Sequence, residues 1–312
     1  MGDSPRLTIG LPVYNGENFL AESIEALLGQ SYGDYELIIS DNASTDSTAE
    51  ICKHYQYTDR RIKYFRHPVN IGAAPNHNFL VHQANGELFK WASHDDLYAP
   101  SLLSGCVAVL DEHPDVVLAH SWTAIIDGSG AVVRAPKYQL RTASLSPAER
   151  FRSVLFDQGG DDDGGVIRTA VLRRTALNGS YYRADRTIVA ELALLGRFYH
   201  VPDWLYFRRD HPERAERAFR TVRTWCANLD PRRADRIRNP AIRLYAEYVW
   251  SFAAAIRRSQ LSPAEERASY GALAAWAADR AWHRRRNQAD PADLADVAAM
   301  PTEIVGRPWN GA

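Results

Sequence analysis

LTIGLPVYNGENFLAESIEALLGQSYGDYELIISDNASTDST, residues 7–48, is the stretch whose reading decides the fold. It opens on a short apolar run, LTIGL (7–11), and passes through a turn containing Pro and Gly. Phe19, Leu20, Ile24, Leu27 and Leu28 then recur on one helical face, and a second apolar run follows, YELIIS (35–40). The reading is strand, helix, strand. Outward from there the alternation continues: IKYFR (62–66) and ELFKWA (87–92) read as strands, with helices predicted from about Ser47 to Tyr57, from about Pro75 to Ala84, and from near Pro100. Such a series predicts an α/β fold in which a parallel sheet is covered by helices on both faces. Ligands then bind beyond the carboxyl ends of the strands, so the loops after the strands carry the functional information.

Further along, VVLAHS and WTAII are read as strands flanking a DGSG turn at 127–130, a hairpin-like excursion that makes the sheet mixed. Ser146-Pro147-Ala148-Glu149 and Ser262-Pro263-Ala264-Glu265 match helix starts with a capping box and proline in the first turn. From about Glu213 strand signals stop, and Ala, Arg and aromatic residues at helical spacing predict a helical extension. A formal net charge of -1 gives no reason to expect a nucleic-acid partner. Cys52, Cys106 and Cys226 are odd in number and lack C-x-x-C spacing, so neither a disulfide framework nor a zinc knuckle is expected, and a reducing cytoplasm fits. No apolar run reaches the ~18 residues of a membrane span, and the N-terminal residues lack a signal peptide's apolar core. A soluble protein, peripheral at most, is the expectation.

Four successive strand-end loops carry suitable polar groups. PVYNGEN (12–18) could present backbone amides and Tyr14 to a nucleotide. DNASTDST (41–48) sets Asp41 to accept hydrogen bonds from a base or ribose, although helix capping is an equal reading of that loop alone. NIGAAPNHN (70–78) adds another glycine-bearing turn, and SHDDLYAP (93–100) places adjacent carboxylates at a strand terminus. Neighbouring Asp residues are costly to desolvate without a cation, whereas Mg²⁺ or Mn²⁺ held with diphosphate oxygens offsets the repulsion. The joint occurrence of the four loops is far more specific than any one of them.

In that order, PVYNGEN, DNASTDST, NIGAAPNHN and SHDDLYAP resemble the family 2 glycosyltransferases of GT-A fold, over roughly residues 7–211. The resemblance implies an inverting glycosyltransferase of the hexosyltransferase class. Its fold would be a mixed, mostly parallel sheet flanked by helices, with a Rossmann-like nucleotide-binding half. The glycosyltransferase domain would span 1–212, divided near residue 120 into nucleotide and acceptor halves, with the helical extension over 213–312. Pro12, Tyr14, Asn15, Glu17, Asp41, Asn42 and Ser44 would line the base and ribose pocket, completed by Asn70, Gly72, Asn76 and His94. The family's Asp-x-Asp motif falls on Ser93-His94-Asp95, which makes Asp95 a metal ligand and leaves Ser93 as a departure from the first aspartate. Asp96 would orient a sugar hydroxyl or an outer-shell water.

By the same match, RADRTIVAELALLGRF (183–198) supplies Asp185 as the general base, near a helix N-terminus that would keep its pKa low; Glu191 is the fallback. LYFRRDHPERAER (205–217) supplies His211 to complete the metal's ligands and Arg209 beside the diphosphate. Asp161, Asp162 and Asp163 lie in an acidic loop that could bind the acceptor or close over the donor.

The donor would be a UDP-, dTDP- or GDP-sugar, and the acceptor a glycan, a lipid-linked glycan or a small molecule. RRADRIR (232–238) and HRRRN (283–287) read as solvated helix faces, with contact to anionic lipid heads as the alternative. The Trp and Tyr residues of 245–282 read as core, with a partner surface, such as a homodimer through the C-terminal helices, as the alternative. Ser93 keeps open a non-catalytic protein that retains the nucleotide cleft. A nucleotidyltransferase would want a basic, Gly-rich first loop, and PVYNGEN has no Lys or Arg; a dinucleotide oxidoreductase would want G-x-G-x-x-G there.

Overall fold

Residues 4–157 and 164–284 are described by the structure, a computed structural model of the chain. The first strands form where the apolar runs lie: β1 Leu7–Val13, β2 Tyr35–Asp41, β3 Ile62–Arg66 and β4 Leu88–Trp91. Between them run α1 Leu20–Leu28, α2 Thr48–Thr58 and α3 Ala73–Gln83. All pairings among these four strands are parallel, with β1 between β2 and β4 and β3 outside β2. Because side chains alternate across a strand, Leu37 and Ile39 enter one core while Ile38, between them, enters the core on the other face of the sheet. A strand buried on both faces must be apolar throughout, which is why LTIGL and YELIIS read as continuous runs.

The second half adds β5 Leu97–Tyr98, α4 Leu102–Glu112, β6 Val116–Ile126, β7 Val132–Arg134, α5 Pro147–Phe156, β8 Val166–Arg168, α6 Thr169–Leu172, α7 Ala184–Leu195 and β9 Arg197–Arg209. The nine-stranded sheet runs β3-β2-β1-β4-β8-β6-β9-β5, with β7 alongside β6. It is mixed: β8 is antiparallel to both β4 and β6, β6 and β9 are parallel, and β5 is antiparallel to β9. One sequence expectation is corrected here. VVLAHS and WTAII are a single strand, β6, and its partner across the DGSG turn is β7. Both runs precede the turn, and β6 is buried along nearly its whole length, so nothing in its polarity marks an interior break.

The helical part that follows comprises α8 Ala215–Ala218, α9 Val222–Leu229, α10 Ala241–Arg258 and α11 Pro263–Arg284. Tyr248 and Phe252 of α10 and Trp276 of α11 form a ring cluster that meets Phe151 of α5. The helical part therefore continues the core on the α5 and α7 side of the sheet. Ser262 and Glu265 make the reciprocal capping box. Ser146 caps α5 through the Glu149 amide, while the Glu149 side chain turns to Ser144 instead.

A buried ion pair ties α10 to α7. The Glu191 carboxylate, only 3% exposed, accepts from Arg258 Nε at 2.7 Å and Nη2 at 3.0 Å, and from the Ala176 amide at 3.0 Å. Glu191 is thus a strut inside the protein, and its fallback role as a base is withdrawn because every partner it has is structural. Removing the carboxylate strands a half-buried guanidinium and a backbone amide. Glu191→Ala should lower the unfolding free energy by roughly 2–3 kcal/mol, read from urea denaturation curves; a loss below ~0.5 kcal/mol would contradict this role.

Candidate active site

The loops after β1, β2 and β3 are laced to one another. Asn15 and Gly16 donate their amides to the Ser44 and Thr48 hydroxyls, each at 2.9 Å. The Asn15 side chain accepts from the Thr45 amide at 2.8 Å, and Glu17 accepts from the Ser47 amide at 3.0 Å. Asn42 accepts from the Ile71 amide at 2.8 Å and donates to Asn70 at 3.0 Å, while Asn76 exchanges hydrogen bonds with Ser40. These bonds satisfy amides at the openings of α1, α2 and α3 that no intrahelical carbonyl can reach. Two glycines permit close approaches. At Gly72 (φ +93°) a Cβ would lie 2.4 Å from the Leu229 carbonyl oxygen, and at Gly16 it would lie 2.7 Å from the His94 ring.

The structure separates the expected nucleotide residues into two sets. Tyr14 is 44% exposed, Asn15, Glu17 and Asn70 are exposed and His94 is half-buried, so these face the sheet edge. Pro12, Asn42, Ser44, Gly72 and Asn76 are buried and shape the loops. Asp41 is corrected: it is fully buried, its carboxylate accepting from the Ser44 amide, the Tyr64 hydroxyl at 2.7 Å and Arg66 at 3.3 Å. With both oxygens engaged inside the protein, it stabilises the loop.

The paired carboxylates follow β4, in the turn closed by β5 against Tyr206 and Phe207 of β9. That pairing brings the end of β9 to the turn. His211 Nε2 lies 2.9 Å from Asp95 Oδ2, the Ser93 hydroxyl donates to Asp95 Oδ1, and Arg214 Nη1 lies 3.3 Å from Asp95 and 3.0 Å from Asp96. Ser93 is held in turn by the Tyr98 and Ser23 hydroxyls. Burial works to raise the Asp95 pKa, but the bond to His211, the nearby His94 and Arg214, and the Ser93 hydroxyl together hold it well below the usual carboxylate range. Asp96 goes the other way, pushed up to about 6 by burial and by the Asp95 charge. Burial also lowers the His94 pKa, favouring the neutral ring.

Two expectations change at this turn. Asp96 is fully buried and accepts from the Tyr206 hydroxyl at 2.5 Å, the Arg209 amide at 2.9 Å and Arg214 at 3.0 Å, so it braces the turn from inside the protein. Arg209 is 1% exposed; its guanidinium donates to the carbonyls of Asp95 and Gly128 and to Glu22, and lies 4.4 Å above the Phe19 ring. These contacts hold the Asp95 backbone in place. The guanidinium that reaches the carboxylates is Arg214, which the sequence reading missed; its place three residues after His211, at the same strand exit, was the available signal.

Asp185 sits in the first turn of α7, after Arg183 in left-handed backbone. Its residue is exposed, yet the surrounding protein is dense enough to raise its pKa, the larger effect of burial outweighing the Arg186 and Arg183 contributions. The direction is opposite to the low pKa expected from a position near a helix N-terminus. Seven residues upstream, Asn178 exchanges two 2.9 Å hydrogen bonds with Asn78 of α3, joining this segment to the third loop. Asp161, Asp162 and Asp163 lie outside the described residues.

Among the described residues no group of three or more His, Cys, Asp or Glu side chains is arranged to hold a metal ion. The donor chemistry at Asp95 and His211 nevertheless fits a divalent cation. One carboxylate oxygen and one imidazole nitrogen face each other in a buried site, and diphosphate oxygens and water can supply the other ligands.

Known proteins resemble this chain in sequence and in fold. The sequence profile of the family described as Glycosyl transferase family 2 matches residues 8–178. EpsE of Bacillus subtilis (strain 168), provisionally named a glycosyltransferase, is 36% identical over 132 residues, which are 42% of this chain and 47% of EpsE. The uncharacterized glycosyltransferase MJ1057 of Methanocaldococcus jannaschii is 30% identical over 134 residues, 42% of this chain and 46% of its own. This chain thus matches less than half the length of either relative. Among solved structures, S. aureus TarS 1–349 superposes with a TM-score of 0.54 at 17% identity, covering 91% of this chain and 93% of that one. The mannosyltransferase PcManGT from Pyrobaculum calidifontis, in complex with GDP-Man and Mn²⁺, gives 0.52 at 18% identity over 92% and 77%.

If Arg214 neutralises the carboxylate pair, Arg214→Gln in metal-free buffer should lower stability by roughly 1–3 kcal/mol at pH 7.5. Because the raised pKa of Asp96 favours its protonated form in the folded state, the deficit should shrink on going down to pH 5. Thermal melts at the two pH values check this; a deficit that is the same at both would contradict it.

Proposed function

The chain belongs to glycosyl transferase family 2, and from that membership and the site we propose that it is an inverting glycosyltransferase using a nucleotide-diphosphate sugar. The observation that carries the proposal is the Asp95–His211 pair, 2.9 Å apart across 116 positions of chain, at the strand edge where the three laced loops meet. The Ser93 hydroxyl donates to Asp95, which supports serine as a working replacement for the first aspartate.

In this reading Tyr14 and the exposed groups of the first and third loops hold the nucleotide. Asp95 and His211 would hold a divalent cation, which when bound would supply positive charge against the diphosphate. Asp185 accepts the proton of an acceptor hydroxyl while that oxygen forms its bond to the anomeric carbon. The bond from that carbon to the diphosphate oxygen breaks on the opposite side, and the leaving nucleoside diphosphate keeps the electron pair. The raised pKa of Asp185 suits this role, because the ionised form is then a stronger proton acceptor. Arg214, at the carboxylate pair, would supply a second positive charge beside the diphosphate oxygens. The acceptor class is a hydroxyl-bearing glycan, lipid-linked glycan or small molecule.

The test is nucleoside diphosphate release with Mn²⁺ and a panel of UDP-, dTDP- and GDP-sugars, with and without added acceptors. Asp95→Asn should abolish turnover and the metal dependence of nucleotide binding. Asp185→Asn should lower turnover by ~10²- to 10⁴-fold while leaving nucleotide affinity within about threefold. Full activity in Asp185→Asn, or nucleotide binding with no turnover of any donor, would overturn the proposal.

A further inference from the structure

Residues 217–258 hold ten arginines and no lysine against three carboxylates, Asp230, Asp235 and Glu247, in a chain whose net charge is -1. The rest of the chain is therefore acidic, and the positive charge is concentrated in one part of the helical region. α10 within it is apolar on two sides. Leu244, Tyr248, Phe252, Ala255 and Ile256 face the core. On the outside, Ile242 (79% exposed), Ala246, Val249 and Trp250 (60% exposed) follow one another at i, i+4, i+7 and i+8, a single narrow stripe open to solvent. Ile237, ahead of the helix, is 92% exposed. Arginines border this stripe: Arg257 lies 5.3 Å over the Trp250 ring, Arg243 is more than half exposed, and Arg238 is 85% exposed in the approach to the helix.

We propose that this face of α10, with the arginine-rich turn before it, is a docking surface for an anionic lipid bilayer. An exposed apolar stripe carrying Trp and flanked by Arg is the pattern of a helix lying in a membrane interface. There the indole and aliphatic groups enter the headgroup boundary and the guanidinium groups meet phosphates. A second copy of the chain is disfavoured as the occupant, because it would bring the same positive surface against itself. Among the described residues no helix is long and apolar enough to cross a membrane, so the contact is one of lying on the surface. The basic segment also reaches the candidate site: Leu229 and Asp230, at the end of α9, pack against the Gly72 turn of the third loop. The surface stands on its own observations and does not depend on the catalytic reading.

Cosedimentation of the full chain with vesicles tests it. The wild-type chain should pellet with vesicles containing 30% phosphatidylglycerol in phosphatidylcholine at low salt and release as salt rises, and should stay free of pure phosphatidylcholine. Ile242→Ser/Trp250→Ser, and separately Arg236→Ser/Arg238→Ser, should each weaken binding roughly tenfold or more with melting temperatures near wild type, since the altered side chains are exposed. Failure of the wild-type chain to bind, equal binding to both vesicle types, or unchanged binding by the variants would overturn the proposal. So would a dimer in solution, seen by light scattering, that the Ile242→Ser/Trp250→Ser variant converts to monomer without any vesicle binding.

Discussion

Two adjacent carboxylates, Asp95 at 5% exposure and Asp96 at none, impose the constraint around which the site is built. Unpaired charges in such a place would cost several kcal/mol each, so the fold divides the problem. Asp96 receives a phenol, an amide and a guanidinium, and its pKa is raised by burial and by the Asp95 charge. Asp95 receives an imidazole, a hydroxyl and the same guanidinium, and stays ionised. One aspartate becomes scaffold and the other keeps the charge a cation would need.

That division depends on β5, a strand of only two residues. Its pairing with Tyr206 and Phe207 sets the carboxylate turn beside the exit of β9, so Arg209, His211 and Arg214 arrive at one place from a single stretch of chain. The rings of Tyr98 and Tyr206 stack beside this turn, with Lys90 Nζ 5.0 Å and 5.3 Å from the two ring centroids. Opposite them, the loops after β1, β2 and β3 have exchanged side-chain and amide hydrogen bonds until little backbone freedom remains. A nucleotide arriving there meets a preformed edge, which reduces the ordering that binding must impose.

The first four strands and their helices were legible in the sequence because burial on two faces, or on one helical face, leaves a periodic apolar record. The continuity of β6 was not legible: a strand buried along its length has no internal polarity change, and the DGSG turn invited a division on the wrong side. β5 is shorter than any period. At the site, the family resemblance put Asp95 and His211 together, but residue type alone could not say which way a charge points. Asp41, Asp96 and Arg209 have the chemistry of ligand-binding groups and are directed inward, while Arg214, unremarkable in sequence, is directed at the carboxylates. The exposed Trp250 among buried aromatic neighbours is the same lesson in reverse, since helical spacing identifies a face and not what lies against it.

The central claim is that Asp95, His211 and Asp185 serve one cleft. A crystal structure of the chain with Mn²⁺ and a nucleotide sugar tests it most directly, using the anomalous signal of the metal. The account predicts a Mn²⁺ peak within coordination distance of Asp95 and His211 and of the diphosphate, with the Asp185 carboxylate on the side of the anomeric carbon away from the leaving oxygen. A metal bound elsewhere, or a sugar whose anomeric carbon faces away from Asp185, would contradict it.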